Sequence, residues 1–412
     1  MSKERSPFSP GQPVAPEFFV GRESQVKLLR RAIRQAASGS PQYVFITGQR
    51  GIGKSSLACL AAELAEKEYG FVSAQALLGG SESLGEVCRR LYESLVSQLP
   101  EKGLVDKAVQ VFQEYVASVD LFGLGVKLRR DNRSRRGLAE NFLPLLERIR
   151  QIIVQGGKKG MVLIADDLNG IARVGRFGSF LKSTVDQIAV TRMRRFPWVL
   201  VLVGVPERMD DLKAQQPSVE RTFHPIDLEL MDETDAREFF ERTFDSVQHS
   251  YDPGALSVMA NSVGGFPVLW HEVGDATFWE DEDQHIGLDD ARAGVTAAAQ
   301  NVGRKYLKRP LYDELRSAVY RNILGYVSRL KAFGGDIERR QALKELPARE
   351  AKNFDKFVRK MRDLDVLRRV PGHRGVYRFA NQLYQYYVVI QSNTFVAQLR
   401  RDAGRSPTRR KR

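Results

Sequence analysis

No apolar run in this 412-residue chain approaches the roughly 20 residues a membrane-spanning helix needs. Its first residues also lack the apolar core of a secretory signal. Cysteine is scarce. Cys59 and Cys88 are the only two, and they share no metal or redox spacing, which excludes a disulfide framework or a zinc module. A reducing cytoplasm is the expected setting, with Cys59 a small core residue. No internal repeat is evident, so a solenoid or propeller is excluded. Acidic residues are in deficit: 64 Lys and Arg against 50 Asp and Glu leave a net charge of +14 and a pI near 9.7. That surplus points to a polyanionic partner, with solubility alone as the competing reading. The hydrophobic fraction of 42% is ordinary, and the length allows two or three domains.

What is present begins with Gly48-Gln49-Arg50-Gly51-Ile52-Gly53-Lys54-Ser55. An apolar run, Tyr43–Thr47, precedes it, and a helical pattern over Ser55–Glu68 follows. Strand, glycine-rich loop and helix are the setting of a phosphate-binding loop. The glycines let successive backbone N–H groups face one anion, and the helix N-terminus adds partial positive charge. Lys54 is placed for the β- and γ-phosphates of a nucleotide and the Ser55 hydroxyl for Mg²⁺, with Ser56 beside them. A second run, Met161–Asp166, reads as a buried strand ending in Asp166 and Asp167. Carboxylates at the carboxyl end of a parallel strand lie where open α/β sheets bind ligands. Asp166 is the expected second Mg²⁺ ligand and Asp167 the expected water-positioning group. The competing readings are a plain glycine turn and a strand running into an acidic helix cap.

Further strand patterns fall at Phe71–Leu77, Trp198–Val205 and Ile226–Leu230, separated by helical ones. This alternation predicts an α/β fold with a parallel sheet. Residues 1–16 hold four prolines and read as a flexible, extended arm. Residues 17–230 are the expected core, with an insertion over about 78–158 containing helices near Ser83–Gln98, Lys107–Ser118 and Leu138–Gln155 and a basic loop, Arg129–Arg136. Residues 231–300 are expected as a helical lid and Asn301–Pro310 as a linker. Residues 311–392 carry helices near Tyr312–Phe333, Ile337–Leu346 and Ala348–Leu364. Two short strands, Val366–Val370 and Val376–Ala380, and a last helix follow. Three helices and a hairpin suggest a winged helix. Residues 393–412 read as a disordered basic tail.

The third of those helices places Phe354, Val358, Met361 and Leu364 on one face and Lys352, Lys356, Arg359 and Lys360 largely on the other. With His373 and Arg374 at the hairpin tip, that division suits DNA binding. A solvated basic face or a protein-contact module is the alternative. His224 and His271 have no ligand spacing and are expected in core or surface roles.

With these residues in place, Phe19-Val-Gly-Arg-Glu23, the phosphate loop, the Asp-Asp strand, Gly264-Gly-Phe-Pro267 and the winged-helix pattern together resemble the STAND and origin-recognition-type branch of AAA+ ATPases, over roughly residues 17–390. The resemblance implies a P-loop core binding ATP and Mg²⁺, with Val20, Gly21 and Arg22 near the adenine. It implies that Pro267 links the lid to the nucleotide and that Arg221 reaches the γ-phosphate of a neighbouring subunit. Two departures, the absence of a polar sensor side chain in Val203–Arg208 and of an arginine after Pro267, imply slow turnover. A nucleotide switch that forms homo-oligomers and engages DNA follows, in replication, transposition or defence. The alternative is a signalling adaptor acting with an effector protein.

Overall fold

Five apolar runs form one parallel sheet. In chain order its strands are β1 (Gln42–Gly48), β2 (Val72–Leu77), β3 (Met161–Asp166), β4 (Trp198–Gly204) and β5 (His224–Leu228), and they lie side by side as β2-β3-β4-β1-β5. β3 and β4 are buried at every position, as strands covered on both faces must be. β5 begins two residues before the expected Ile226, and Pro225 lies inside it. A proline is tolerated there because β5 is an edge strand. The computed structural model describes residues 4–115, 138–174, 176–191, 195–313, 317–329, 335–364, 366–370 and 372–403.

The chain divides into two compact units, Pro13–Glu229 and Met1–Gln12 with Leu230–Arg412. The first holds the sheet and α1 (Glu23–Ala37), α2 (Lys54–Tyr69), α3 (Leu84–Ser97), α4 (Lys102–Tyr115), α5 (Phe142–Gln155), α6 (Phe177–Val190), α7 (Pro206–Gln215) and α8 (Val219–Thr222). Ser83 caps α3 by accepting from the Glu86 N–H at 3.3 Å. The helices of the expected insertion are part of the main core: Tyr92, Phe112, Leu145 and Ile149 share one buried cluster with Leu163 and Leu200 of the sheet. The expected helix over Leu138–Gln155 is interrupted by a turn at Asn141. The basic loop Arg129–Arg136 lies outside the described residues.

The second unit opens with α9 (Glu233–Ser246), α10 (Pro253–Val263), α11 (Pro267–Glu280) and α12 (Leu288–Val302), with a two-stranded parallel ribbon of β6 (Ser250–Tyr251) and β7 (His285–Ile286). Asp232 and Asp235 form a capping box on α9. The linker expected at Asn301–Pro310 is instead helical. α12 runs into a wide, π-type turn, Gly303–Asp313, because Leu307 and Leu311 are buried in the core of the following elements. Those elements are α13 (Ala318–Val327), β8 (Ile337–Glu338), α14 (Arg339–Glu345), α15 (Ala348–Asp363), β9 (Leu367–Arg369), β10 (Val376–Phe379) and α16 (Gln382–Ala403). Ile337 and Glu338, expected in a helix, pair with β10, and the small antiparallel sheet is ordered β8-β10-β9. The tail expected to be disordered from residue 393 is helical through Ala403. No helix among the described residues is long and apolar enough to cross a membrane.

The amino-terminal arm is not free of structure. Phe8 is buried, with its ring 5.2 Å from Phe244 and 5.8 Å from Phe239. The Ser9 N–H donates to Nδ1 of buried His271 at 3.0 Å. Burial pushes His271 down to about 4, so Nδ1 is an acceptor near neutral pH. Gly274 makes room for the ring: a Cβ there would stand 2.2 Å from Phe8 Cε1. Phe8→Ala is expected to cost about 3–5 kcal/mol, and Gly274→Ala a comparable amount by expelling the ring. Denaturant unfolding of the double variant should show much less than the sum, since both remove one contact; full additivity would contradict this packing.

Candidate nucleotide site

The turn after β1 is shaped by close backbone approach. A Cβ on Gly48 would lie 2.7 Å from the Leu228 carbonyl oxygen and 3.0 Å from Ile52 Cγ2. Gly53, at φ 96°, is in the left-handed region and caps α2, which aims the helix N-terminus into the turn. Lys54 Nζ folds back onto the loop and donates to the carbonyls of Gly48 at 3.0 Å and Gln49 at 2.7 Å. Burial pushes Lys54 down to about 8, against the pull of Asp166; Arg50 lowers it further, while Asp167 and Glu207 raise it. Ser55 and Ser56 lie in the first turn of α2, and the Val14 N–H donates to Ser56 Oγ at 3.1 Å. Gln49, Arg50 and Gly51 are exposed on the loop crest, and Ile52 is buried beneath it.

Asp166 is only 4% exposed. A buried carboxylate needs donors, and it has two: Gln75 Nε2 reaches Oδ2 at 2.8 Å and the Asp167 N–H reaches Oδ1 at 2.8 Å. Cys59 Sγ is 3.3 Å from Gln75 Oε1, which fixes the amide with its nitrogen toward Asp166. Asp167 sits at φ 59° and accepts through Oδ1 from the Asn169 side chain.

Arg22, also left-handed at φ 64°, donates to the Glu229 carbonyl at 2.5 Å and the Ile52 carbonyl at 3.4 Å. It thereby ties Val20 and Gly21 to the phosphate loop. Lys54, Ser55, Asp166, Asp167 and the Val20–Arg22 turn are therefore brought together. Arg221 is not. It is exposed on α8, ahead of β5, whose first residue pairs with Val44 near the start of β1; the loop leaves the other end of β1. Pro267 belongs to the other unit, where it opens α11. Phe266 before it is buried and stacks under Arg368 of β9 at 5.2 Å. On α15, Lys352, Lys356, Arg359 and Lys360 are exposed, as are His373 and Arg374. Phe354, Phe357, Val358 and Met361 face inward. Asp355 interrupts the basic face, but Arg339 pairs with it through two 2.7 Å contacts and holds its carboxyl below the usual range.

Residues 19–177 match the family model described as AAA ATPase domain. That segment is similar to the AAA ATPase domains the model describes. The five-stranded parallel sheet and its flanking helices have the α/β core fold of an AAA+ P-loop ATPase. The Aeropyrum pernix ORC2 protein in its ADPNP–ADP complexes superposes with a TM-score of 0.56 at 14% identity, over 92% of this chain and 94% of that one. The Walker-type ATPase PABY2304 of Pyrococcus abyssi gives 0.51 at 12%, over 90% and 96%. No curated protein matches the sequence.

Sequence reasoning passed over Gln75 and Glu207. Gln75 is a polar residue inside an apolar strand, which is the one signal that marked it. Glu207 has no such mark, because only the sheet order brings it to this edge. The low Lys54 value sets a proton linkage. A bound phosphate favours the ammonium form, so nucleotide binding should take up a proton between pH about 8 and 10.5, the ordinary lysine value. Calorimetry in buffers of different ionisation enthalpy should show that uptake at the alkaline end and none near pH 6.5.

Proposed function

We propose that the chain is an ATP-binding, slowly hydrolysing switch whose nucleotide state governs self-association and DNA engagement. The observation that carries it is the pairing of the Lys54 cradle with buried, doubly hydrogen-bonded Asp166 at one sheet edge. The oxygen donors Ser55 Oγ and Asp166 suit Mg²⁺, which prefers few protein ligands and completes its shell with phosphate and water. Mg²⁺ bound there supplies charge neutralisation for the phosphates. Lys54 binds the β- and γ-phosphates, Gln75 keeps Asp166 oriented, and Val20 provides an apolar wall for the base.

The DNA part of the proposal is supported by the exposed cations of α15 and by the helix–hairpin order of residues 311–392, which we read as a winged helix. Arg368 over Phe266 gives that module a direct contact with the turn that opens α11 at Pro267, so a change at the turn reaches β9. Arg221, exposed at the edge of the sheet away from its own loop, is suited to act on a neighbouring copy. A replication, transposition or defence role fits these parts, as does a cytoplasmic location.

Lys54→Ala is expected to abolish binding of a fluorescent ATP analogue; unchanged affinity would sink the assignment. Turnover per subunit should rise with protein concentration, and mixing Arg221→Ala with Lys54→Ala subunits should restore part of it. For DNA, fluorescence anisotropy across a salt series should show Lys356→Ala plus Arg359→Ala weakening binding and flattening the log–log salt slope by about 1–2 units. Absence of any DNA affinity near physiological salt would transfer the basic face to a protein partner, as in the adaptor reading.

A further inference from the structure

The sheet register determines which carboxylates stand beside the phosphate loop. β4 lies between β3 and β1. Gly204 is opposite Thr47, and Leu202 is opposite Ala165. The carboxyl ends of these three strands are therefore level, and the Leu168 N–H is stitched to the Val203 carbonyl at 3.2 Å. α7 opens two residues beyond Gly204, with Glu207 in its first turn. Glu207 thus emerges between the Gly48–Gly53 loop and Asp166.

The helix that carries it is held at both ends. Arg208, the next residue, is buried and bonded to Asp211 at 2.6 Å. Gln215 at the far end of α7 donates to the Ala172 carbonyl at 2.6 Å and accepts from the Gly178 N–H at 3.0 Å. Glu207 itself is exposed and makes no hydrogen bond or ion pair with another described residue. Asp167 is differently placed. One of its oxygens is engaged by Asn169, and the other would lie 2.5 Å from a Cβ on Gly79, just past β2. β2 is on the opposite side of β3 from the loop, so Asp167 leans away from the phosphates.

We propose that Glu207 is a catalytic residue of the ATPase reaction, accepting a hydrogen bond from the water that attacks the γ-phosphate; this rests on the ATP-hydrolysing reading above. The water oxygen bonds to the γ-phosphorus while the bond from that phosphorus to the β–γ bridging oxygen breaks. ADP leaves with the bonding electron pair, and the water proton passes through the Glu207 carboxylate to solvent. A carboxylate so close to the γ-phosphate also repels it, so ATP is penalised relative to ADP.

The test compares the full-length parent, Glu207→Gln, Glu207→Asp and Asp167→Asn by steady-state turnover and by titration with fluorescent ATP and ADP analogues. Glu207→Gln should lower kcat by about 10²-fold with little change in KM, and should raise ATP affinity relative to ADP several-fold. Glu207→Asp should recover part of kcat, and Asp167→Asn should cost less than Glu207→Gln. A Glu207→Gln enzyme with kcat within twofold of the parent and an unchanged ATP-to-ADP preference overturns the proposal, as does loss of activity confined to Asp167→Asn. If the parent binds ATP without turning it over, the hydrolysing reading fails separately, and the affinity ratio alone decides whether Glu207 faces the γ-phosphate. A parent that binds no nucleotide removes the site reading itself, and the proposal with it.

Discussion

The level register of β3, β4 and β1 is the constraint on which the phosphate edge depends. Parallel strands have no fixed turn to set their alignment. Here it is set by burial. Val199, Leu200, Val201, Leu202 and Val203 are all buried on the two faces of the sheet, and a one-residue slip would turn every side chain to the opposite face. With the strands so held, Gly48 and Asp166 leave the sheet together, and the loop carbonyls, Lys54 and the buried carboxylate meet without further adjustment.

Charge placement follows from that geometry. Asp166 is kept in a buried position by the Gln75 amide and one backbone N–H, and Gln75 is in turn oriented by Cys59 of α2. The helix that carries Lys54 and Ser55 therefore also steers the strand residue that orients Asp166. Among the described residues Lys54 has no carboxylate in direct contact; it uses the carbonyls of Gly48 and Gln49. Its charge is weakened by burial, and an incoming phosphate replaces these neutral partners with anionic ones.

Much of this was legible in the sequence. All five strands were placed within two residues; for β3 and β4 the signal was a continuous apolar run, because a strand covered on both faces admits few polar residues. The glycine spacing of residues 48–55 marked the loop, because its backbone approaches leave no space for a Cβ. The core face of α15 was also visible, although Phe357 was missed. What escaped depends on distant contacts. A single phenylalanine among prolines and serines reads as an arm until Phe239, Phe244 and Gly274 are placed around it. Leu307 reads as part of a basic linker until the core it fills is known. β5 starts two residues before the expected Ile226, and its edge position shows why Pro225 is allowed inside it. Glu207 is ordinary at the start of a helix, and the strand order alone brings it to the phosphate edge.

The burial of Phe8 bears on the order in which the chain becomes complete. Ser9 and His271 are 262 residues apart, so the amino-terminal segment emerges first during synthesis and finds its partners only after α11 has been made. Until then an aromatic side chain and the cavity beside Gly274 are both without their complement, and α9 and α11 lack part of their core. The carboxyl-terminal unit is thus assembled from the two ends of the chain, and its last packing step waits on a segment that was translated long before it.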